Sequence, residues 1–208
     1  QLKTQTPARV WHGAALLFAL LLATYPIEGV RSQPPRVSVS RGLDGLAFVR
    51  DASPEEYAVV VWIRQHTSVT SVVAEAFDGD YWRSTNLTAD PNVVSALTGR
   101  PTLIGWPEHE ALWRGTYGMS AAARAQRAMI DQRERDLNRL YTTTDPRTAT
   151  SLIRRYHIAY LHIGTFERTE YYKGVGNNPA LVKFATFLKP VLHLPEVTLY
   201  QVPIPLRT

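Results

Sequence analysis

Eleven residues, Gly105–Gly115 (GWPEHEALWRG), hold two tryptophans, a histidine, two glutamates and an arginine. Flat aromatic rings cover the apolar faces of sugars, and carboxylates or a guanidinium take hydroxyls or phosphate. Trp106, His109, Glu110, Trp113 and Arg114 are therefore candidate ligand-binding residues. Glu75, at the end of a β-branched run, and Tyr81, in the loop after it, join them as candidates to line a cleft. Asp78, Asp80, Trp82 and Glu108 belong to the same chemistry. Loops at strand ends are where such residues gather on a rigid scaffold. The competing expectation is structural: Trp113 buried, and Arg114 bridging Glu110 at i,i+4 helical spacing.

Other chemistries find less support. His109-Glu110 matches the start of a zinc-protease helix, but position 113 is Trp where the second histidine must stand. His162 and His193 lie inside short apolar runs and read as packed strand residues. Ser95, His109 and Asp78 make a triad only on paper, because no nucleophile elbow accompanies them. The glycines at 42/45, 99 and 174/176 form neither a P-loop nor a dinucleotide fingerprint and read as turns. Residues 86–88 (NLT) are a formal glycosylation sequon. The chain has no cysteine, which excludes disulfides, thiolate zinc sites and cysteine nucleophiles. No cofactor is evident, and catalytic residues are not assignable. The net charge of +5 comes without a nucleic-acid-binding motif, so no nucleic acid is expected as a partner.

The elements that must position these residues follow from patterning. Residues 10–27 contain no Asp, Glu, Lys or Arg, and Ala14 to Ala23 is all Ala, Leu and Phe. Trp11 and Tyr25 stand near the two ends, where amphipathic aromatics favour an interface. This reads as a transmembrane helix with its flank over 1–30, against a signal peptide or a buried helix as alternatives. Membrane lipid is the expected partner, and Lys3 and Arg9 favour a cytoplasmic start. The chain opens on Gln1, which reads as a piece or a processed form of something longer. A proline-containing polar linker covers 31–42, and 43–208 forms an extracytoplasmic domain.

Within that domain, Ser53-Pro54-Glu55-Glu56 starts a helix that ends near His66. The run 71–77 (SVVAEAF) predicts a strand, and NVVSALTG and TLIGW predict two more around Gly99. Pro107 starts a short helix, Ser120–Tyr141 a long amphipathic one, and Asp145-Pro146 caps another through Arg155. The run 158–164 (IAYLHIG) is a strand, 179–188 is helical, and PVLHL with EVTLYQV closes the chain as a hairpin. The alternation predicts one transmembrane helix followed by a small α/β domain with a mixed sheet.

The runs LDGLAFV (43–49), SPEEYAVVVWIRQH (53–66), VVAEAF (72–77), VSALTGRPTLIGWPEHEALWRG (94–115) and RRYHIAYLHIGTFER (154–168) resemble the C-terminal end of the YYY family. These are multi-spanning bacterial and archaeal membrane proteins similar to GT-C type glycosyltransferases. The most specific string places Thr98, Gly99, Pro101, Gly105, Trp106, His109, Glu110, Trp113, Arg114 and Gly115 on the family pattern. The resemblance implies a lipid-phosphate sugar donor and transfer at the outer membrane face. The catalytic acid of that class stands on an early outer loop, so the resemblance implies a chain inactive alone that assists glycan binding. The alternative is a non-catalytic, membrane-anchored binding or scaffold domain.

Overall fold

A computed structural model describes residues 8–32, 44–77, 92–170 and 178–204. The chain divides into two compact units, Gln1–Asp44 and Gly45–Thr208. The first contains helix α1 (Ala8–Ser32), with Pro26 inside it. Its described apolar side chains, including Trp11, Leu16, Leu17, Phe18, Leu20, Leu21, Leu22 and Tyr25, are all exposed. Among the described residues, however, no helix is long and apolar enough to cross a membrane, so a spanning helix is not supported. The uninterrupted Ala/Leu/Phe centre, Ala14–Ala23, covers ten residues. At 1.5 Å per residue it is about 15 Å long, against a hydrocarbon core of about 30 Å.

The second unit is the expected mixed α/β domain. In chain order it contains α2 (Ala47–Ala52), α3 (Pro54–His66), β1 (Val72–Ala74), α4 (Val93–Thr98), α5 (Pro107–Trp113), α6 (Ala121–Thr142) and α7 (Pro146–Arg155). There follow β2 (Ile158–Ile163), α8 (Thr165–Glu170), α9 (Pro179–Val182), a 3₁₀ turn (Lys183–Thr186), β3 (Lys189–His193) and β4 (Thr198–Gln201). The sheet order is β1-β2-β4-β3. β1 runs parallel to β2, while β4 is antiparallel to both β2 and β3.

β2 contributes side chains to two cores. Leu161 and Ile163 join Ile130, Leu137, Leu140 and Tyr141 of α6, Ile153 of α7, and Phe184. Tyr160 joins Val59 and Ile63 of α3 together with Val73 and Leu199. Every residue of β2 is buried, as befits a strand covered on both faces. Ser120 caps α6 by accepting from the Ala123 amide, and Asp145 caps α7 by accepting from the amides of Arg147 and Thr148. Lys183 is buried, with its amine donating to the carbonyls of Leu140 and Ala180 and lying over the Phe184 ring. Burial pushes that amine down to about 7.

Two expected strands take other forms. Val93–Thr98 is helix α4, not a strand, and left-handed residues bound it: Asn92 at φ 66° and Gly99 at φ 68°. Its β-branched residues suit a strand, but the helix ends are settled by tertiary contacts. TLIGW contributes only an isolated parallel bridge, Val73 to Thr102. Arg100 explains the local path. Its guanidinium donates to the carbonyls of Arg64, Thr67 and Thr98, so it ties the end of α3 to the end of α4.

Candidate functional site

The residues singled out in the sequence fall into two places. Trp106, His109, Glu110, Trp113 and Arg114 come together on one face of α5 and line an open recess of about 350 Å³. Glu75 does not join them. It is buried at the end of β1, next to His162 and Glu167. Tyr81, Asp78, Asp80 and Trp82 lie outside the described residues.

The α5 face follows from local rules. Pro107 occupies the first turn, where its missing N–H costs nothing, and Glu108 and Glu110 favour the positive helix end. Spacings of three and four residues then put positions 106, 109, 110, 113 and 114 side by side. Pro107 and Ala111 form the buried side. Gly115 ends the helix at φ 64°, a left-handed position suited to glycine.

Trp113 is 79% exposed, so the expectation of a buried ring is wrong. Its indole Nε1 donates to His109 Nε2 at 2.9 Å, and the two rings meet edge to face. With Nε2 accepting, the His109 proton sits on Nδ1. Arg114 Nε donates to Glu110 Oε1 at 2.7 Å, the expected helical pair, but on the surface. This pair neutralises itself, which suits neutral hydroxyl groups better than a free anion. Trp106 is half-buried. Oriented to satisfy both partners, the Asn92 amide donates to the Gly105 carbonyl (3.2 Å) and accepts from Trp106 Nε1 (3.3 Å).

Sequence reasoning missed a second polar cluster, centred on His162. Its Nε2 lies 2.9 Å from Glu56 Oε2, and its Nδ1 lies 3.3 Å from Glu167 Oε1. All three side chains are buried. Glu167 also accepts from the amides of Ala76 (2.7 Å) and Gly164 (2.8 Å). Glu75 accepts from the amides of Val94 and Ser95, each at 2.8 Å, and so satisfies the first turn of α4. Gly164 makes room for the cluster. A Cβ there would overlap a Glu56 carboxylate oxygen and come within 2.6 Å of His162 Cε1.

The charges of this cluster depend on one another. Burial alone disfavours the imidazolium, but the Glu56 and Glu167 carboxylates outweigh it and hold His162 well above its ordinary value. Burial likewise opposes the Glu167 carboxylate, yet His162 and the two amides hold it below the usual range. At Glu75 burial wins over its two amide donors and pushes the carboxyl up to about 7. The available signal was one polar residue in the otherwise apolar run IAYLHI. A strand covered on both faces must bury that histidine and therefore supply it with partners. Among the described residues, no group of three or more histidines and acids is arranged to hold a metal ion.

No family model, curated protein or solved structure matches the chain.

Proposed function

We propose that this chain is a membrane-anchored glycan-binding domain, the extracytoplasmic C-terminal part of a polytopic glycosyltransferase that uses a lipid-phosphate sugar donor. The exposed Trp113 ring, held edge-on to His109 over an open recess, carries the reading. A tryptophan left in water at the rim of a recess offers an apolar face that a sugar ring covers. The self-neutralised Glu110–Arg114 pair supplies acceptors and donors for hydroxyls. The exposed apolar side chains of α1 are covered by lipid in this reading. The domain assists binding, and the chemistry falls to residues outside this chain.

A scaffold reading draws on the same contacts. The His109–Trp113 and Glu110–Arg114 bonds already satisfy these side chains within α5. Titration with a panel of neutral hexose disaccharides, read by saturation-transfer NMR on the chain in detergent, separates the two. Glycan binding requires saturation transfer that weakens roughly three- to tenfold in Trp113→Ala, the loss of one aromatic contact. Far-UV circular dichroism serves as the folding control. Absence of transfer from every disaccharide, or an unchanged affinity in Trp113→Ala, leaves the scaffold.

A further inference from the structure

Hydrogen bonds join the buried Glu75 to Trp106 at the α5 recess. The Glu75 carboxylate accepts from the amides of Val94 and Ser95, each at 2.8 Å, at the start of α4. Ser95 donates its hydroxyl to the Asn92 carbonyl (3.1 Å), which also accepts from the Ala96 amide (3.1 Å). The Asn92 side chain in turn holds the Gly105 carbonyl and Trp106 Nε1. Asn92 is buried and left-handed at φ 66°, a conformation that a residue other than glycine keeps where its surroundings enforce it. Loosening the first turn of α4 therefore frees a strained residue that holds one of the side chains lining the recess.

Glu75 is the titratable member of this chain of contacts. Burial outweighs its two amide donors and pushes the carboxyl up to about 7. The charged groups around it are His162 of β2, Glu167 of α8 and, beyond the imidazole, Glu56 of α3. The His162 cation is engaged by Glu56 (2.9 Å) and Glu167 (3.3 Å), and α4 (VVSALT) brings no charged side chain. Among the described residues, no cation lies within ion-pair distance of Glu75. An opening of the α4 start returns the carboxylate to water, so its ionisation favours the open form. A carboxyl that moves from about 7 to its ordinary 4.5 on opening shifts that equilibrium on the order of a hundredfold between pH 4.5 and 8.

We propose that Glu75 is a pH-sensitive hold on the α5 recess: protonated, it secures α4, Asn92 and Trp106, and ionised, it lets them go, so the recess is assembled at acid pH and loosens as the pH rises. As control of ligand binding this rests on the glycan reading above, whereas the coupling itself is measured without ligand.

Hydrogen exchange followed by NMR on the full chain in detergent, from pH 4.5 to 8 with no sugar present, reads the coupling. Protection of the Val94 and Ser95 amides and of the Trp106 indole N–H, each relative to its intrinsic exchange rate, should fall together on the order of a hundredfold. Glu75→Gln should remove that dependence, while leaving any contribution of His162 and Glu167 in place. Asn92→Gly keeps the left-handed backbone and removes the side-chain link, so the dependence should persist at Val94 and Ser95 and vanish at Trp106. A repeat in the His109→Gln background keeps the recess's own imidazole out of the result. Protection at Val94 and Ser95 that does not change with pH, or a fall that persists in Glu75→Gln, overturns the proposal. So does a fall confined to the α4 amides, or one matched by the buried β2 amides, which report global unfolding. Saturation transfer from the disaccharides that is equal at pH 4.5 and 8 in wild type overturns the control of binding. Exchange as expected with no transfer at either pH removes the glycan reading and leaves the coupling standing.

Discussion

Replacing His162 by Gln tests whether the buried cluster carries a charge. The imidazole stands between Glu56 (2.9 Å) and Glu167 (3.3 Å), and all three side chains are buried. Gln keeps polar atoms in similar places but removes the cation. Glu167 then remains buried without its charged partner, and removing one member of a buried pair costs about 3–5 kcal/mol. For a unit of this size each kcal/mol lowers the Tm by roughly 2–4 °C. The expected loss is therefore on the order of 10 °C near neutral pH.

The pH dependence makes the test specific. His162 is raised in the folded state, so its stabilisation is fully present below the ordinary histidine value. It is lost as pH rises through the raised one. Wild type should accordingly lose stability on the alkaline side, and His162→Gln should lose this part of the slope. Thermal melts followed by near-UV circular dichroism from pH 5 to 10 read both quantities. A Tm within about 2 °C of wild type, too little for the loss of a buried charge partner, would refute the charged reading. So would an unchanged alkaline slope, because His162 would then be an ordinary neutral core histidine.

Two further outcomes follow from the same cluster. Glu75, with its carboxyl raised to about 7, stabilises below the ordinary carboxylate range, and that contribution is lost as pH rises through about 7. Glu75→Gln should therefore gain on wild type by about 3 kcal/mol between pH 4.5 and 8 in urea unfolding, and a constant difference would contradict the burial argument. Gly164→Ala should destabilise by about 1–3 kcal/mol, because the new methyl overlaps Glu56 and crowds His162. An unchanged Tm in that variant would show that the cluster gives way more easily than its packing implies.

How much of this was written in the sequence depends on the range of the contacts involved. Helix α3 was legible because its start is local: Ser53, Pro54 at the first position, then two acids. Glu56, one of the acids that marks this helix start, points inward to a histidine 106 residues further along. That partnership depends on the register of β2 against β1 and on the packing of α3, and neither is encoded locally. Helix α4 was misread as a strand for a related reason. Val93 and Val94 favour extended backbone, but the acceptor for the first-turn amides comes from Glu75, 19 residues before Val94. The α5 face was legible because three- and four-residue spacing assembles it. Its exposure was not, since a sequence does not say which side of a seven-residue helix meets a neighbour.

The two polar clusters are joined, and the link bears on which of them can meet a ligand. Glu75 holds the amides at the start of α4, and Asn92, immediately before that helix, holds Gly105 and Trp106 by its side chain. A short chain of contacts thus runs from the buried acids to the rim of the α5 recess. The buried end is saturated. Both nitrogens of His162 are engaged, and Glu167 takes two amides as well as the imidazole. A group in that state has neither the open valence nor the access that catalysis needs. Beside it, Glu75 fixes the start of α4, and Asn92 in front of that helix holds Trp106. The recess beside Trp113 combines exposed aromatic surface with solvent access, so that is where a ligand can be met.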